Sequence, residues 1–392
     1  MARREFLKAL NRSAILNIIK TYGPIARTDI ARLSGLSPAA VTGLTAELIE
    51  DGLVFEKQEG DSRGGRKPIL LALDASHAYV VGIKLAEESA TLALTDLNSE
   101  VLAQHSVLLT RREPVPVSDL LAEGVRELLR SAQVDHDCLL GIGVGLAGLI
   151  DSNAGICRVS PHNGWRDVPF AHLLEERLDC PVYLDNNVNT LTRVEQLYGV
   201  GQHVKDFLVV TIGRGVGLGI VANGQVYRGA HGAGGEFGHI VVDPDGLVCN
   251  CGNRGCLETF VAEPWLLRRA HLAGLEVSTP EELVAKAKAG NPTAIETLSR
   301  AGAVFGQALS TLVNLLEPAL IIISGEGVRA GEFMFAPMRD AMAHHIFDRQ
   351  AERIELRIEP LSDDTWARGA ASLVLARIFH APQLERQAAL PQ

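Results

Sequence analysis

GHIVVDPDGLVCNCGNRGC, residues 238–256, brings one imidazole and three thiols into a single short segment: His239, Cys249, Cys251 and Cys256. The spacing is His-x9-Cys-x-Cys-x4-Cys. Three thiolates and an imidazole complete a tetrahedral zinc shell. With all four positions filled by protein, such an ion is structural and pins a loop rather than activating water. The alternatives are a disulfide or buried free thiols. Cys249 and Cys251 are too close in sequence to bridge comfortably, and a cytosolic chain argues against a disulfide. Cys138, Cys157 and Cys180 are scattered in apolar surroundings and read as core residues.

Outward from this cluster the pattern is one of strands. Phe207–Ile212, a glycine turn, Val216–Val221 and then Gly224 to Tyr227 precede it. A similar order occurs earlier. Tyr79–Leu85, Thr91–Thr95 and Val101–Leu109 form a meander, a helix runs from about Val117 to Ala132, and Leu139–Leu146 leads into Gly-Leu-Ala-Gly. Two copies of strand-turn-strand with later helices predict a duplicated α/β fold of two lobes with a cleft between them.

The composition agrees with a large globular chain. At 392 residues, 47% hydrophobic and 21% charged, it supports two or more domains and excludes wholesale disorder. No apolar run approaches the roughly 18 to 20 residues of a membrane span. The first residues, MARREFLKALNR, carry no apolar signal region, so a cytoplasmic protein without a membrane partner is expected. The formal charge of −10 is uneven: residues 1–46 hold 7 Lys+Arg against 2 Asp+Glu. An acidic body with a basic head suits a protein that touches a polyanion through one end.

The head has its own pattern. Residues 5–20 read as a helix with Leu7, Leu10, Ala14 and Ile18 on its apolar face. After Gly23-Pro24, Thr28 is placed to cap a short helix from Asp29 to Ser34. Ser37 then caps a third, with Pro38 at its first position and Val41, Leu44 and Leu48 facing inward. Leu53–Lys57 and Ile69–Leu73 read as a hairpin whose tip, residues 60–68, is rich in glycine and arginine. Helix-turn-helix plus wing predicts a DNA reader, the alternative being a small helical interaction module. Ala39, Ala40, Thr42 and Thr45 would face the major groove, with Arg27, Thr28 and Ser37 near the backbone. Arg63, Arg66 and Lys67 of the wing would reach phosphates or a narrow minor groove. None of the four helix residues is Arg, Asn or Gln, so contacts to thymine methyls and groove shape are expected over bidentate base readout.

The whole chain resembles the ROK family of bacterial sugar kinases and sugar-responsive repressors. The resemblance rests on GVGLAGLID (143–151), SPHNGW (160–165), LDNNVN (184–189), TIGRGVGLGI (211–220), GAGGEFGH (232–239), CNCGNRGCLE (249–258) and IIISGEGV (321–328), together with the Gly369-Ala370-Ala371 helix. It implies an α/β, actin-like (ribonuclease-H-like) two-lobed fold behind a winged helix-turn-helix. The expected boundaries are 1–73 for the head and 74–190 for the first lobe, completed by helix 369–392. Residues 191–368 form the second lobe, with the zinc site and an oligomerisation surface. By the resemblance Glu236, His239 and Glu258 hold sugar hydroxyls, joined from the other lobe by Asn186 and Asn187 with Gly148 nearby. His239 would bind zinc through one ring nitrogen and present the other to the ligand.

Departures from the kinase pattern favour a regulator. Family kinases place an Asp general base where this chain has Asn187, and an amide takes no proton, which removes a factor of about 10² to 10⁴. The first phosphate loop, Asp-x-Gly-Gly-Thr-Lys in kinases, here reads Lys84-Leu85-Ala86-Glu87-Glu88-Ser89. Its glutamates oppose phosphate, and their side chains block close backbone approach. The second loop keeps Gly213, Gly215 and Gly217 but has Arg214 for the usual threonine; no ATP is expected. His162 stands where an Asn is commoner, so His162 or Asn163 faces the ligand, and Arg166 with Asp167 could be a surface pair. Loss of the Asp leans toward the xylose-repressor type. The expectation is a repressor, homodimeric or homotetrameric on a palindromic DNA operator and released by a monosaccharide. The alternatives are a sugar kinase with a DNA-binding head, or a regulator with a protein effector.

Overall fold

The computed structural model describes residues 3–57, 68–75, 78–348, 353–361 and 363–379. Helix α1 (Arg3–Tyr22), strand β1 (Ile25–Ala26), helices α2 (Arg27–Ser34) and α3 (Pro38–Glu50), and strands β2 (Val54–Lys57) and β3 (Leu70–Leu73) form the head. Its three strands pair in the order β1-β3-β2. The core of the head is Ile15, Leu16, Ile19, Ile30, Val41, Leu44, Leu48 and Leu71. The buried stripe of α1 is therefore Ile15-Leu16-Ile19, not Leu7, Leu10, Ala14 and Ile18; Leu7 is half exposed. Both sets have helical spacing, and only packing against α2 and α3 chooses between them. Helix α2 starts one residue before Thr28, with Ala26 at the cap position and no side-chain cap. Ser37 does cap α3, its hydroxyl accepting from Ala40 N at 3.3 Å, with Pro38 first in the helix.

The body begins with β4 (Tyr79–Leu85), β5 (Ser89–Thr95), β6 (Val101–Leu108), helix α4 (Pro114–Ala132) and β7 (Leu139–Leu146). A three-stranded sheet follows, β8 (Leu149–Asp151), β9 (Ile156–Ser160) and β10 (Trp165–Val168), ordered β10-β9-β8. Helix α5 (Phe170–Leu178), β11 (Val182–Asn186) and α6 (Asn187–Tyr198) come next. Strands β12 (Phe207–Ile212), β13 (Val216–Ala222) and β14 (Gln225–Tyr227) precede helices α7 (Glu258–Val261), α8 (Glu263–Leu272), α9 (Pro280–Lys288) and α10 (Pro292–Leu316). The chain then forms β15 (Leu320–Ser324), α11 (Glu332–His345), β16 (Glu355–Ile358) and α12 (Asp363–Phe379).

Two five-stranded sheets carry the duplication. One runs β6-β5-β4-β7-β11 and the other β14-β13-β12-β15-β16. In each, three consecutive strands are followed by two later strands added beyond the first. In the second sheet the added pairs, β12 with β15 and β15 with β16, are parallel. A repeat that is faint in sequence is thus plain in strand order, because topology needs only the apolar pattern and not the residues themselves.

Contacts divide the chain into two compact units, residues 1–144, 169–184 and 370–392 in one and 145–168 with 185–369 in the other. In the first, the head is tied to the C-terminal helix: Asn17 Nδ2 donates to the Phe379 carbonyl, and the Lys20 ammonium lies 4.7 Å from the centre of the Phe379 ring. In the second, the core is built on β12, β13 and β15 with Trp265, Phe305, Met334, Phe335 and Met338 from the helices. No helix among the described residues is long and apolar enough to cross a membrane.

Candidate functional site

Residues 216–218 of β13 form the floor on which the site is assembled. Val188 packs against Gly217, and Glu258 Oε2 accepts from Val216 N at 3.3 Å. The loop between β14 and α7 lies on the same strand. Gly235 has a φ of 95° and a Cβ there would strike the Leu218 carbonyl, while one at Gly238 would meet that of Val216. These two glycines let the loop that carries Glu236 and His239 lie flat on the strand whose Val216 N bonds Glu258. By contacts Asn186, Asn187, Gly148, Glu236, His239 and Glu258 group in one compact unit, with Asn186 the last residue of β11 in the first five-stranded sheet.

Asn186 is occupied by the backbone. It caps α6, its Oδ1 accepting from Val188 N at 2.8 Å, and its Nδ2 donates to the Gly148 carbonyl at 2.9 Å. Asn187 is half-buried at the first turn of α6, with Oδ1 accepting from Val188 N at 3.0 Å. Beneath both lies Asp185, only 1% exposed. It accepts from Asn186 N at 2.8 Å, Asn189 Nδ2 at 2.9 Å and Arg228 Nε at 2.8 Å. Sequence reasoning missed this pair. An acid closing the apolar strand VYLD is its signal, but Arg228, 43 positions on, has none. The pair ties the start of α6 to the segment leading into the Glu236 loop.

His239, Cys249, Cys251 and Cys256 converge as the spacing predicts, with their ligand atoms all within 4.8 Å of one another. His239 Nδ1 lies 3.7 Å from Cys249 Sγ, and Cys251 Sγ lies 3.6 Å from Cys256 Sγ. The other ring nitrogen, Nε2, is 4.0 Å from Glu236 Oε2. One face of the imidazole thus serves the thiols and the other the exposed carboxylate. Burial, with Cys251 and Cys249 beside it, pushes the Cys256 thiol up to about 12. Thiolates crowded this closely need a cation to neutralise them, so the donor set fits a metal ion.

In the head, Ala39 and Thr42 are exposed on α3, and Ala40 is half-buried. Thr28 is exposed on α2 and Ser37 at the α3 cap. Thr45 is fully buried and cannot face a groove; its hydroxyl accepts from Arg27 Nε at 3.0 Å. Arg27 also pairs with Glu56 at 2.8 Å, so it links α2, α3 and β2. Arg63, Arg66 and Lys67 lie outside the described residues.

Comparison with known proteins agrees with this architecture. The ROK family model matches residues 80–377. The chain belongs to the ROK family. The MarR family model matches residues 10–63 of the head. The xylose repressor of Caldicellulosiruptor bescii is 28% identical, covering 98% of this chain and all of that one. The DNA-binding transcriptional dual regulator NagC of Escherichia coli K12 is 32% identical over 84% of each. A crystal structure of a ROK family transcriptional regulator, a homologue of the E. coli Mlc protein, superposes with a TM-score of 0.86 at 28% identity, covering 95% of this chain and 97% of that one. A ROK hexokinase from Thermus thermophilus matches 75% of this chain and 97% of its own, with a TM-score of 0.66 at 29% identity.

Against the ROK kinase pattern, the loops have specific occupants. Glu87 and Glu88 sit in the tight turn between β4 and β5, and Glu87 pairs with Arg112 at 3.1 Å, which offsets part of its charge. At the second loop the Glu326 carboxylate rests against Gly213 and that of Glu258 against Gly215. Glu326, inside the Gly-Glu-Gly of residues 325–327, is an opposing charge that the motif reading overlooks. Asn163 Nδ2 donates to Ser160 Oγ at 3.0 Å, leaving His162 the exposed member of the pair. Asp167 pairs with Arg158 at 3.2 Å rather than with its neighbour Arg166.

Proposed function

We propose that this protein is a sugar-responsive transcriptional regulator of the repressor type. Its winged head would bind operator DNA in the cytoplasm, and its ROK domain would bind a monosaccharide. The observation that carries the reading is the cluster on residues 216–218 of β13. It gathers Glu236, His239 and Glu258 around a metal-binding loop, while Asn187 stands in for a general base. Carboxylates and an imidazole suit vicinal diols because they exchange paired hydrogen bonds with them. Asn187 offers its amide to the sugar, and Asn186 holds it in place through Gly148.

The metal is zinc in a structural role, held by His239, Cys249, Cys251 and Cys256. Its removal would free the loop that aims His239 Nε2. ATP has no place in this reading: Glu87 and Glu88 oppose phosphates at the first loop and Glu326 at the second, and Asn187 cannot accept a proton. The relatives named xylose repressor favour a xylose-type sugar. Two chains related by a two-fold axis would place their heads on the half-sites of a palindromic operator. Sugar binding would then weaken DNA binding by a coupling energy of about 1–3 kcal/mol.

Glu236→Gln tests the reading by fluorescence anisotropy on operator DNA, titrated with xylose, glucose, N-acetylglucosamine and their phosphates. Wild type is expected to release DNA with one of these, and the variant to keep operator affinity while losing the response. Loss of DNA binding and sugar response together would count against the assignment.

A further inference from the structure

A cavity of about 560 Å3 opens at the N-terminal end of α10, within the size range of small-molecule sites. Its walls include the apolar side chains of Leu247, Phe260, Leu272 and Pro292. Two arginines line it, Arg269 from α8 and Arg300 from α10. Arg269 is half-buried. Its Nε donates to the Thr259 carbonyl at 2.7 Å and its guanidinium carbon lies 3.7 Å from the centre of the Phe260 ring. Its Nη2 is shielded from solvent and has no hydrogen-bond partner among the described residues.

An arginine keeps its proton in a protein, so this half-desolvated charge persists and calls for an anion. The protein does not supply a full answer. Glu296, one turn before Arg300, is the carboxylate of the lining, set against two guanidiniums. Asp243 also acts on Arg269, but more weakly than Arg300 opposes it. The first turn of α10, a 25-residue helix, adds its positive dipole end, with Thr293 of that turn lining the cavity.

We propose that this cavity binds a small organic anion, a carboxylate or phosphomonoester on a short apolar body, as a ligand distinct from the sugar. The anionic group meets Arg269 and Arg300, and the apolar body packs along Leu247 and Leu272. Inorganic phosphate alone has the charge without the body and binds more weakly.

Isothermal titration calorimetry on the full chain at constant ionic strength tests this, with phenyl phosphate, inorganic phosphate and phenol as probes. Phenyl phosphate is expected to bind saturably with one site per chain, and phenol not at all. Arg300→Glu, at an exposed position, and Arg269→Gln each weaken phenyl phosphate by about tenfold or more, the loss of a charge-assisted contact. Glu236→Gln leaves it unchanged, which keeps this site separate from the sugar reading. The proposal is overturned by a flat phenyl phosphate titration, by undiminished affinity in folded Arg300→Glu, or by loss of binding in Glu236→Gln. It is equally overturned if Arg300→Glu dissociates a wild-type dimer in sedimentation velocity, since the cavity would then hold a carboxylate of a second copy.

Discussion

Asp185 shows how a single buried charge can tie together segments far apart in the chain. Its carboxylate is almost fully buried and answers three donors, one of them the Arg228 guanidinium. Removing one partner of such a pair leaves the other desolvated and unmatched, at a cost of about 3–5 kcal/mol. Asp185→Asn is therefore expected to lower unfolding free energy by roughly 3 kcal/mol in urea titrations. The double variant with Arg228→Met should recover much of that loss, and near-additive costs would show that the two residues act separately. The same reasoning explains a reading that changed. Thr45 has the right helical position for a groove contact, yet its hydroxyl is turned inward to Arg27, whose charge is in turn spent on Glu56.

At the scale of elements, the loop from His239 to Cys256 is held by turns rather than by a sheet, with Val242 N and Asp243 N donating to the Gly255 carbonyl and Gly255 N to that of Leu247. Among the described residues its ladder pairing consists of two isolated bridges, Val241 with Cys256 and Val248 with Arg254. A metal held by His239, Cys249, Cys251 and Cys256 would add cross-links to these turns. Such sites add folding free energy directly, because the ligands converge only in the folded chain. Dialysis against a strong zinc chelator is expected to strip about one zinc per chain and to abolish the sugar-induced release of DNA. The body should keep its far-UV circular dichroism, since the core on β12, β13 and β15 is built mainly from helix residues such as Trp265, Phe305, Phe335 and Met338, with the loop adding Val242 and Leu247 at its edge. A chelated protein that still responds to sugar would remove the metal from the mechanism.

Across the whole molecule, the chain leaves and re-enters each compact unit, and its last helix closes the first one. Residues 370–379 belong with the head and the first lobe, and a Cβ at Gly143 would overlap the Ala370 carbonyl. Leu375 and Phe379 are fully buried there. Large buried side chains are worth about 2–5 kcal/mol each, against a total stability of about 5–15 kcal/mol. A chain ending at residue 369 is thus expected to lose the fold of the first unit, including the head. Limited proteolysis would show rapid cleavage before residue 144 and between 169 and 184, with residues 185–369 more resistant. Equal resistance throughout would mean that α12 is dispensable.

The sequence by itself determined what depends on local spacing and chemical type. The His-x9-Cys-x-Cys-x4-Cys cluster converges because its ligands sit on one short loop, and Ser37-Pro38 starts a helix because capping needs only neighbours. The apolar runs of both sheets were legible for the same reason, since alternation and length are local properties. Tertiary structure alone decided which of two equivalent stripes of α1 is buried, that Asn186 is spent on Gly148 while Asn187 is not, and that Arg228 answers Asp185. These are matters of contact between segments far apart in the chain, and long-range packing leaves no periodic trace in either partner.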